Sequence, residues 1–174
     1  LENSEVVGVL VKNKSIEAES VILASGGFEA NDELRKLYIG KDWGAAKVRG
    51  TPHNTGDGLM MALDIGAMKH GLYDGCHATP MDLYMKNYGG LDLEPSERKN
   101  YRKICYFLGI MVNAEGKRSL DEGKNFRNYT YAQYGRKVLE QSGNFAWQIF
   151  DSKVFDLLYE EYRFHDAHFV EGTT

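Results

Sequence analysis

Four groups of residues have the types and spacing to do chemistry. Gly26-Gly27 follow directly on the apolar run Val21-Ile22-Leu23-Ala24. Glycines after a buried parallel strand let a ligand approach the backbone at the carboxyl edge of a sheet, where α/β folds hold nucleotides. The plainer alternative is a strand-to-helix turn that needs positive φ. Asn54-Thr55-Gly56-Asp57-Gly58 opens a helix whose free first-turn amides would seat an anion or an electron-rich ring edge, although Thr55 or Asp57 can equally be an ordinary cap. His53 and His77 stand in loops beside Pro52 and Thr79-Pro80, where an imidazole can hydrogen-bond or neutralise a carboxylate. The fourth group, the charged stretch from Lys117 to Asn128, contains Glu122 and Arg127 and by itself reads as a solvated surface.

Other chemistry is excluded or disfavoured. There is no Gly-x-Gly-x-x-Gly fingerprint and no Walker lysine, so these residues do not encode a self-sufficient dinucleotide site. His70, His165 and His168 lie near expected helix ends, but no His-x-x-x-His or Cys-His cluster has ligand spacing, and metal binding is disfavoured.

The elements that must position these groups follow from the apolar pattern. Val6 to Val11 reads as a strand, Asn13-Lys14 as its turn, and Ile16 and Ala18 as a half-buried return strand. The continuous apolar run of residues 21–24 predicts a strand buried on both faces. Asn31-Asp32 starts a helix from Glu33 that Gly40 stops, and Leu59 to Ile65 predicts another, ended by Gly66. Residues 71–105 have weak periodicity and read as loop with short strands. A strand at 109–112 turns through Asn113-Ala114-Glu115-Gly116. Tyr131, Tyr134, Val138 and Leu139 then mark a helix, residues 145–150 a strand, and Asp151 caps a last helix carrying Val154, Phe155, Leu158 and Tyr162. The fold class is α+β, with an α/β portion at the front.

At 174 residues and 43% apolar content the chain can bury a continuous core. Its 21 Lys and Arg against 25 Asp and Glu leave a net charge of −4, which offers no general attraction for nucleic acid or anionic lipid. Any anionic ligand must meet local basic groups. Two cysteines, Cys76 and Cys105, make no disulfide framework, so a reducing, cytoplasmic setting is expected. No apolar run approaches the roughly 20 residues that cross a bilayer, and direct membrane insertion is not expected. The chain opens on Leu1 and runs at once into strand-like sequence, which suggests a piece of a longer protein.

Taken in order, several motifs resemble the flavoprotein subunits of the fumarate reductase and succinate dehydrogenase family, and within it the tricarballylate dehydrogenase branch. They are Val21-Ile22-Leu23-Ala24-Ser25-Gly26-Gly27-Phe28, Thr51-Pro52-His53-Asn54-Thr55-Gly56-Asp57-Gly58, Gly75-Cys76-His77 and Gly109-Ile110-Met111-Val112-Asn113-Ala114-Glu115-Gly116-Lys117-Arg118. Asp121-Glu122 through Phe126-Arg127-Asn128-Tyr129-Thr130-Tyr131 and Ala146-Trp147-Gln148-Ile149-Phe150-Asp151 continue the match. The resemblance implies an FAD enzyme that moves a hydride between flavin N5 and a carbon next to a carboxylate, with a proton exchanged at the neighbouring carbon. It implies the tail of an FAD-binding domain segment in residues 1–45 and a capping, substrate-binding domain in residues 46–174. An internal fragment, inactive alone, is the corresponding expectation.

By the same resemblance, Gly26, Gly27, Thr55, Gly56 and Asp57 are cofactor-binding. His77, Thr79 and Glu122 are substrate-binding, and Arg127 is the proton-transferring acid or base. A small di- or tricarboxylate is the substrate, and an electron-transfer partner completes the cycle. The chain departs from the family pattern in three places. It has His77-Ala78-Thr79-Pro80 for His-Pro-Thr, Ser119 for Phe after Lys117-Arg118, and Arg127 five residues after Glu122 rather than four. The Glu and Arg of the usual proton relay are also missing from Ile104-Cys105-Tyr106-Phe107-Leu108-Gly109. The readings set against the enzyme are a non-catalytic carboxylate-binding or structural module that keeps the cap fold, and a hydratase, which lacks cluster or metal ligands here.

Overall fold

The computed structural model describes residues 1–2, 5–88, 91–163 and 169–172, so His165 and His168 lie outside the described residues. Strands β1 (Gly8–Val11) and β2 (Lys14–Glu17) form an antiparallel hairpin in the register Gly8↔Glu17 to Val11↔Lys14. Its turn is Lys12-Asn13, one residue earlier than expected. Both residues take positive φ, 45° and 66°, the two left-handed positions that a tight hairpin turn needs to match strand twist.

The buried strand expected at residues 21–24 does not form. The run joins no sheet among the described residues, and Ile22 is 89% exposed. An apolar run becomes a two-face-buried strand only when neighbouring strands take its amides and carbonyls and other layers cover its faces. Among the described residues none does so.

Helix α1 (Asp32–Tyr38) begins as expected, with Asn31 Oδ1 accepting from the Leu34 amide at 3.0 Å. Gly40, at φ 144°, takes the chain out of it into a 3-10 turn over Lys41–Ala45. Helix α2 (Asp57–Asp64) also forms where expected, with Gly66 at φ 94° beyond its end. Residues 71–105 are largely irregular. The short strands expected there reduce to one bridge, Met81↔Arg102, and a 3-10 turn at Arg98–Tyr101.

Strands β3 (Ile110–Val112) and β4 (Trp147–Ile149) pair antiparallel, Ile110↔Ile149 through Val112↔Trp147, on either side of helix α3 (Tyr131–Leu139) in the chain. The described elements are α+β, with two separate two-stranded antiparallel sheets and no parallel pair. The expected last helix is corrected. Asp151 does cap, accepting from Lys153 N at 2.8 Å, but it opens 3-10 turns at Ser152–Leu157 and Glu160–Tyr162. Leu158, at ψ 139°, is extended and breaks the helix. Burial is then uneven along the expected face: Leu158 and Tyr162 are buried, whereas Phe155 is 53% exposed.

Two apolar clusters hold the second half together. Ile104, Tyr106, Met111 and Tyr134 form one, with Leu120, Tyr131, Val138 and Ala146 packed on it, and Cys105, Leu158 and Tyr162 form the other, with Leu108 and Phe150. Consecutive residues 104, 105 and 106 alternate between them. Each large buried side chain contributes about 1.5–3 kcal/mol relative to exposure, so this segment joins both clusters to the loops they support.

Candidate functional site

The glycine turn and the start of α2 come together. Ala30 N donates to Asn54 O at 2.9 Å, Asn31 Nδ2 to Thr55 O at 3.0 Å, and Asn54 Nδ2 to Glu29 Oε1 at 2.5 Å. Gly26 has φ 78°, and a Cβ there would sit 2.6 Å from Asn54 Oδ1. Gly56 has φ 83° and packs where a Cβ would meet Phe28 and Leu34. These two glycines therefore have a structural role, closing one loop on the other, whatever else they contact. Gly27 has only the Glu29 carboxylate near its Cβ position.

Neither Thr55 nor Asp57 caps α2. Gly56 occupies the cap position without a side-chain hydrogen bond, and Thr55 Oγ1 reaches back to His53 O at 3.5 Å. The first-turn amides of α2 thus carry no side-chain cap, beside a glycine turn flanked by the Asn54 and Glu29 side chains. That donor set fits the electron-rich edge of a flavin ring.

His77 and Arg127 come together around one aromatic ring. The His77 imidazole meets Tyr131 edge to face, with centroids 5.1 Å apart and planes at 71°. The Arg127 guanidinium lies 5.7 Å from the same ring centroid and 5.6 Å from that of Tyr159. Arg127 is half-buried, His77 is exposed, and among the described residues no carboxylate pairs with the Arg127 guanidinium.

Local structure explains this placement. Arg127 opens a 3-10 turn (Arg127–Tyr129) that leads into α3. Its carbonyl accepts from Thr130 N at 3.0 Å and lies within reach of the Thr130 and Tyr106 hydroxyls, at 3.3 and 3.4 Å. Those two hydroxyls are 2.6 Å apart in the core. Burial pushes the Tyr106 phenol up, against the Thr130 hydroxyl and the Arg127 charge, so it stays a proton donor at neutral pH. His77 is held by its neighbour: Ala78 N donates to Ala132 O at 2.8 Å, and Gly135 N to Ala78 O at 2.9 Å. A Cβ on Gly135 would lie 2.5 Å from the Ala78 carbonyl, so glycine allows residues 78–79 to lie on α3. Thr79 follows, half-buried, without a side-chain hydrogen bond among those described.

Glu122 is buried and hydrogen-bonded on the loop before Arg127. It is 3% exposed; Oε1 accepts from Met111 N at 2.6 Å and Oε2 from Arg118 Nη2 at 2.5 Å and Nε at 3.1 Å. Burial acts to raise its pKa, but the Arg118 hydrogen bond, the Met111 amide and the Arg118 charge outweigh it and hold the carboxyl below its usual value. Its geometry is that of a strut tying β3 to the loop before Arg127.

Three further residues matter to which the sequence assigns no role at the site. Arg35 is 2% exposed and donates to the carbonyls of Glu29, Trp43 (2.8 Å), Gly44 (3.3 Å) and Ala46 (3.0 Å), and to Asp32 Oδ1 (2.9 Å). It folds the chain around the turn after α1. A helix-face arginine gives no sequence signal for that. Tyr131, at i+4 from Arg127, and Gly135 carry weak signals, the glycine because it costs about 1 kcal/mol inside a helix unless packing requires it.

Comparison with known proteins identifies the family. The FAD binding domain family matches residues 1–165. A 3-oxosteroid 1-dehydrogenase of Mycobacterium tuberculosis is 32% identical over 175 residues, covering 90% of this chain and 28% of that protein. A probable fumarate reductase of Shewanella frigidimarina is 30% identical over 161 residues, covering 88% and 24%. Among solved structures, the open conformation of a flavocytochrome c3 fumarate reductase superposes with a TM-score of 0.61 at 27% identity, over 91% of this chain and 26% of that one. A 3-ketosteroid delta1-dehydrogenase from Sterolibacterium denitrificans gives a TM-score of 0.53 at 28% identity, over 82% and 25%. The chain spans about a quarter of the length of these relatives.

Proposed function

The chain belongs to the FAD binding domain family, with fumarate reductases among its relatives, and from that premise we propose that it serves an FAD-dependent oxidoreductase acting on the CH–CH bond of a small di- or tricarboxylate. In this reading residues 1–45 belong to the FAD-binding domain, with Gly26, Gly27, Thr55, Gly56 and Asp57 against the cofactor. Residues 46–174 are the capping domain that receives the substrate. The chemistry FAD supplies when bound is the acceptance or return of a hydride.

The observation that carries the reading is the pair His77 and Arg127 on one tyrosine ring, the guanidinium lacking a carboxylate partner among the described residues. A substrate carboxylate supplies the missing anion, with His77 and the Thr79 hydroxyl as its donors. In oxidation one substrate carbon loses a hydride, its neighbour loses a proton to the neutral guanidine form of Arg127, which becomes the guanidinium, and a C=C bond remains. In reduction Arg127 returns that proton. A guanidinium suits this work because its high pKa is close to that of a weak carbon acid. Glu122 enters as a support, holding the Arg127 loop through Arg118 and Met111 rather than touching substrate.

The steroid dehydrogenase relatives raise a second substrate class, since a 3-oxosteroid also loses hydrogen across a CH–CH bond. The guanidinium, without a carboxylate partner among the described residues, favours the anionic substrate over a neutral one. A reducing, cytoplasmic setting belongs to the same proposal and rests on the free thiols Cys76 and Cys105; an electron-transfer partner also belongs to it, because the two-electron cycle requires one. Among the described residues no helix is long and apolar enough to cross a membrane.

The test uses the full-length, FAD-loaded protein that contains these residues, with four probes: tricarballylate and succinate with an oxidising dye, fumarate with reduced methyl viologen, and a 3-oxosteroid with the oxidising dye. Turnover of a carboxylate, lost in Arg127→Lys, is the expected result. Steroid turnover alone, or failure to hold FAD, overturns the proposal.

A further inference from the structure

The Arg127 side chain has an uncommon environment for a charged group. Its backbone is fixed by the buried Thr130 and Tyr106 hydroxyls, yet among the described residues its guanidinium has ring faces beside it and no carboxylate. The two rings come from distant parts of the chain. Tyr131 opens α3 and is packed on the first apolar cluster; Tyr159 lies between the two C-terminal 3-10 turns, its amide donating to Cys105 Sγ at 3.5 Å. A guanidinium within about 6 Å of an aromatic face is attracted by the ring quadrupole and keeps its N–H edge free for an anion. A carboxylate partner would have occupied that edge and competed with the substrate.

We infer that Tyr131 and Tyr159 are positioning residues that clamp the Arg127 guanidinium between ring faces and aim its free N–H edge at the substrate. Tyr131 also acts on His77, because the same ring seats the imidazole, and one side chain thereby sets the spacing between the proton-transferring group and the carboxylate-holding group. Tyr159 touches Arg127 and not His77. The two tyrosines therefore differ in what they control. Loss of Tyr159 disturbs proton transfer alone, whereas loss of Tyr131 disturbs proton transfer and carboxylate binding together. The inference deepens the proposed function and rests on Arg127 being the proton-transferring group.

The experiment measures kcat and KM of the full-length, FAD-loaded protein that contains these residues, for fumarate reduction with reduced methyl viologen and for tricarballylate or succinate oxidation with a dye. The variants are Tyr131→Phe, Tyr131→Leu, Tyr159→Phe and Tyr159→Leu, with Arg127→Ala as reference. Tyr159→Leu is expected to lower kcat at least tenfold with KM changed less than threefold. Tyr131→Leu is expected to lower kcat similarly and raise KM at least fivefold. The phenylalanine variants, which keep the ring, stay within threefold of the parent. Because a leucine variant can fail to fold, a second series places phenylalanine and progressively fluorinated phenylalanines at position 159. These keep shape while weakening the ring face, and kcat is expected to fall stepwise with fluorination. Leucine variants with parental kcat, the same KM response at both tyrosines, or a flat fluorination series each overturn the clamp. If Arg127→Ala itself retains turnover, the reading of Arg127 fails instead, and the two failures are thereby told apart.

Discussion

Arg35 and Arg127 stand in two regions that use the same side chain in opposite ways. Around Arg35 the chain curls back from α1 through the next turn, and the guanidinium donates to four carbonyls and to Asp32. Around Arg127 the backbone is the anchored part, while the guanidinium lies on two tyrosine faces with no carboxylate beside it among the described residues. The first arginine has its hydrogen-bonding capacity consumed by the fold. The second, in the proposed function, keeps that capacity for a substrate anion. What separates a structural from a functional arginine is thus the partner set, because a buried donor must be satisfied and a satisfied donor cannot also hold a substrate.

The contrast breaks most sharply at Arg127. Arg127→Lys is expected to lower turnover by about 10²–10⁴, the usual worth of a positioned acid or base, while flavin absorbance and melting temperature stay at the parental values. Equal losses of fold and activity would put Arg127 in the same class as Arg35. The mirror test is Arg35→Met, which strands four carbonyls. Its expected cost is about 3 kcal/mol or more, a drop in melting temperature of roughly 6–12 °C by calorimetry. A melting point near the parental value would show that water takes over those acceptors.

Gly135→Ala sharpens the comparison by disturbing the Arg127 region without touching Arg127. The added methyl meets the Ala78 carbonyl at 2.5 Å, so residues 77–79 must shift. A cost of about 1–3 kcal/mol and a raised KM are expected, from urea unfolding and steady-state kinetics together. An unchanged KM would separate His77 from carboxylate binding. The smallest effect concerns Glu122. Its folded-state pKa is depressed, so its contribution is complete above the ordinary carboxylate value of about 4.3 and fades as pH falls through the lower folded value. The parent should therefore lose stability below about pH 4.3 more steeply than Glu122→Gln in urea titrations at stepped pH. Parallel pH curves would remove the Arg118 and Met111 contacts from the stability of the loop before Arg127.

Much of the local structure was legible in the residues. The hairpin, the Asn31 cap, α2 with Gly66 beyond it, β3 with its Asn113 turn, and α3 follow from propensity, capping and spacing, which act over a few residues. The family was legible too, from motifs in a fixed order. The misses share one cause. Residues 21–24 had the composition of a buried strand, but burial is a property of what lies against a segment, and Ile22 remains exposed. The apolar face expected after Asp151 was divided because Leu158 and Tyr162 are drawn into the Cys105 cluster, and an extended Leu158 cannot continue a helix.

The candidate site divides along the same line. Residue type together with the resemblance to the flavoprotein family marked Gly26, Gly27, Thr55, Gly56, Asp57, His77, Thr79, Glu122 and Arg127 as candidates. Only the tertiary structure decided that His77 and Arg127, fifty residues apart along the chain, share the Tyr131 ring, and that Glu122 is spent on Arg118 and Met111. Such partnerships depend on long-range packing through Gly135, Tyr106 and Thr130, and a spacing along the chain carries no record of a distance across the fold.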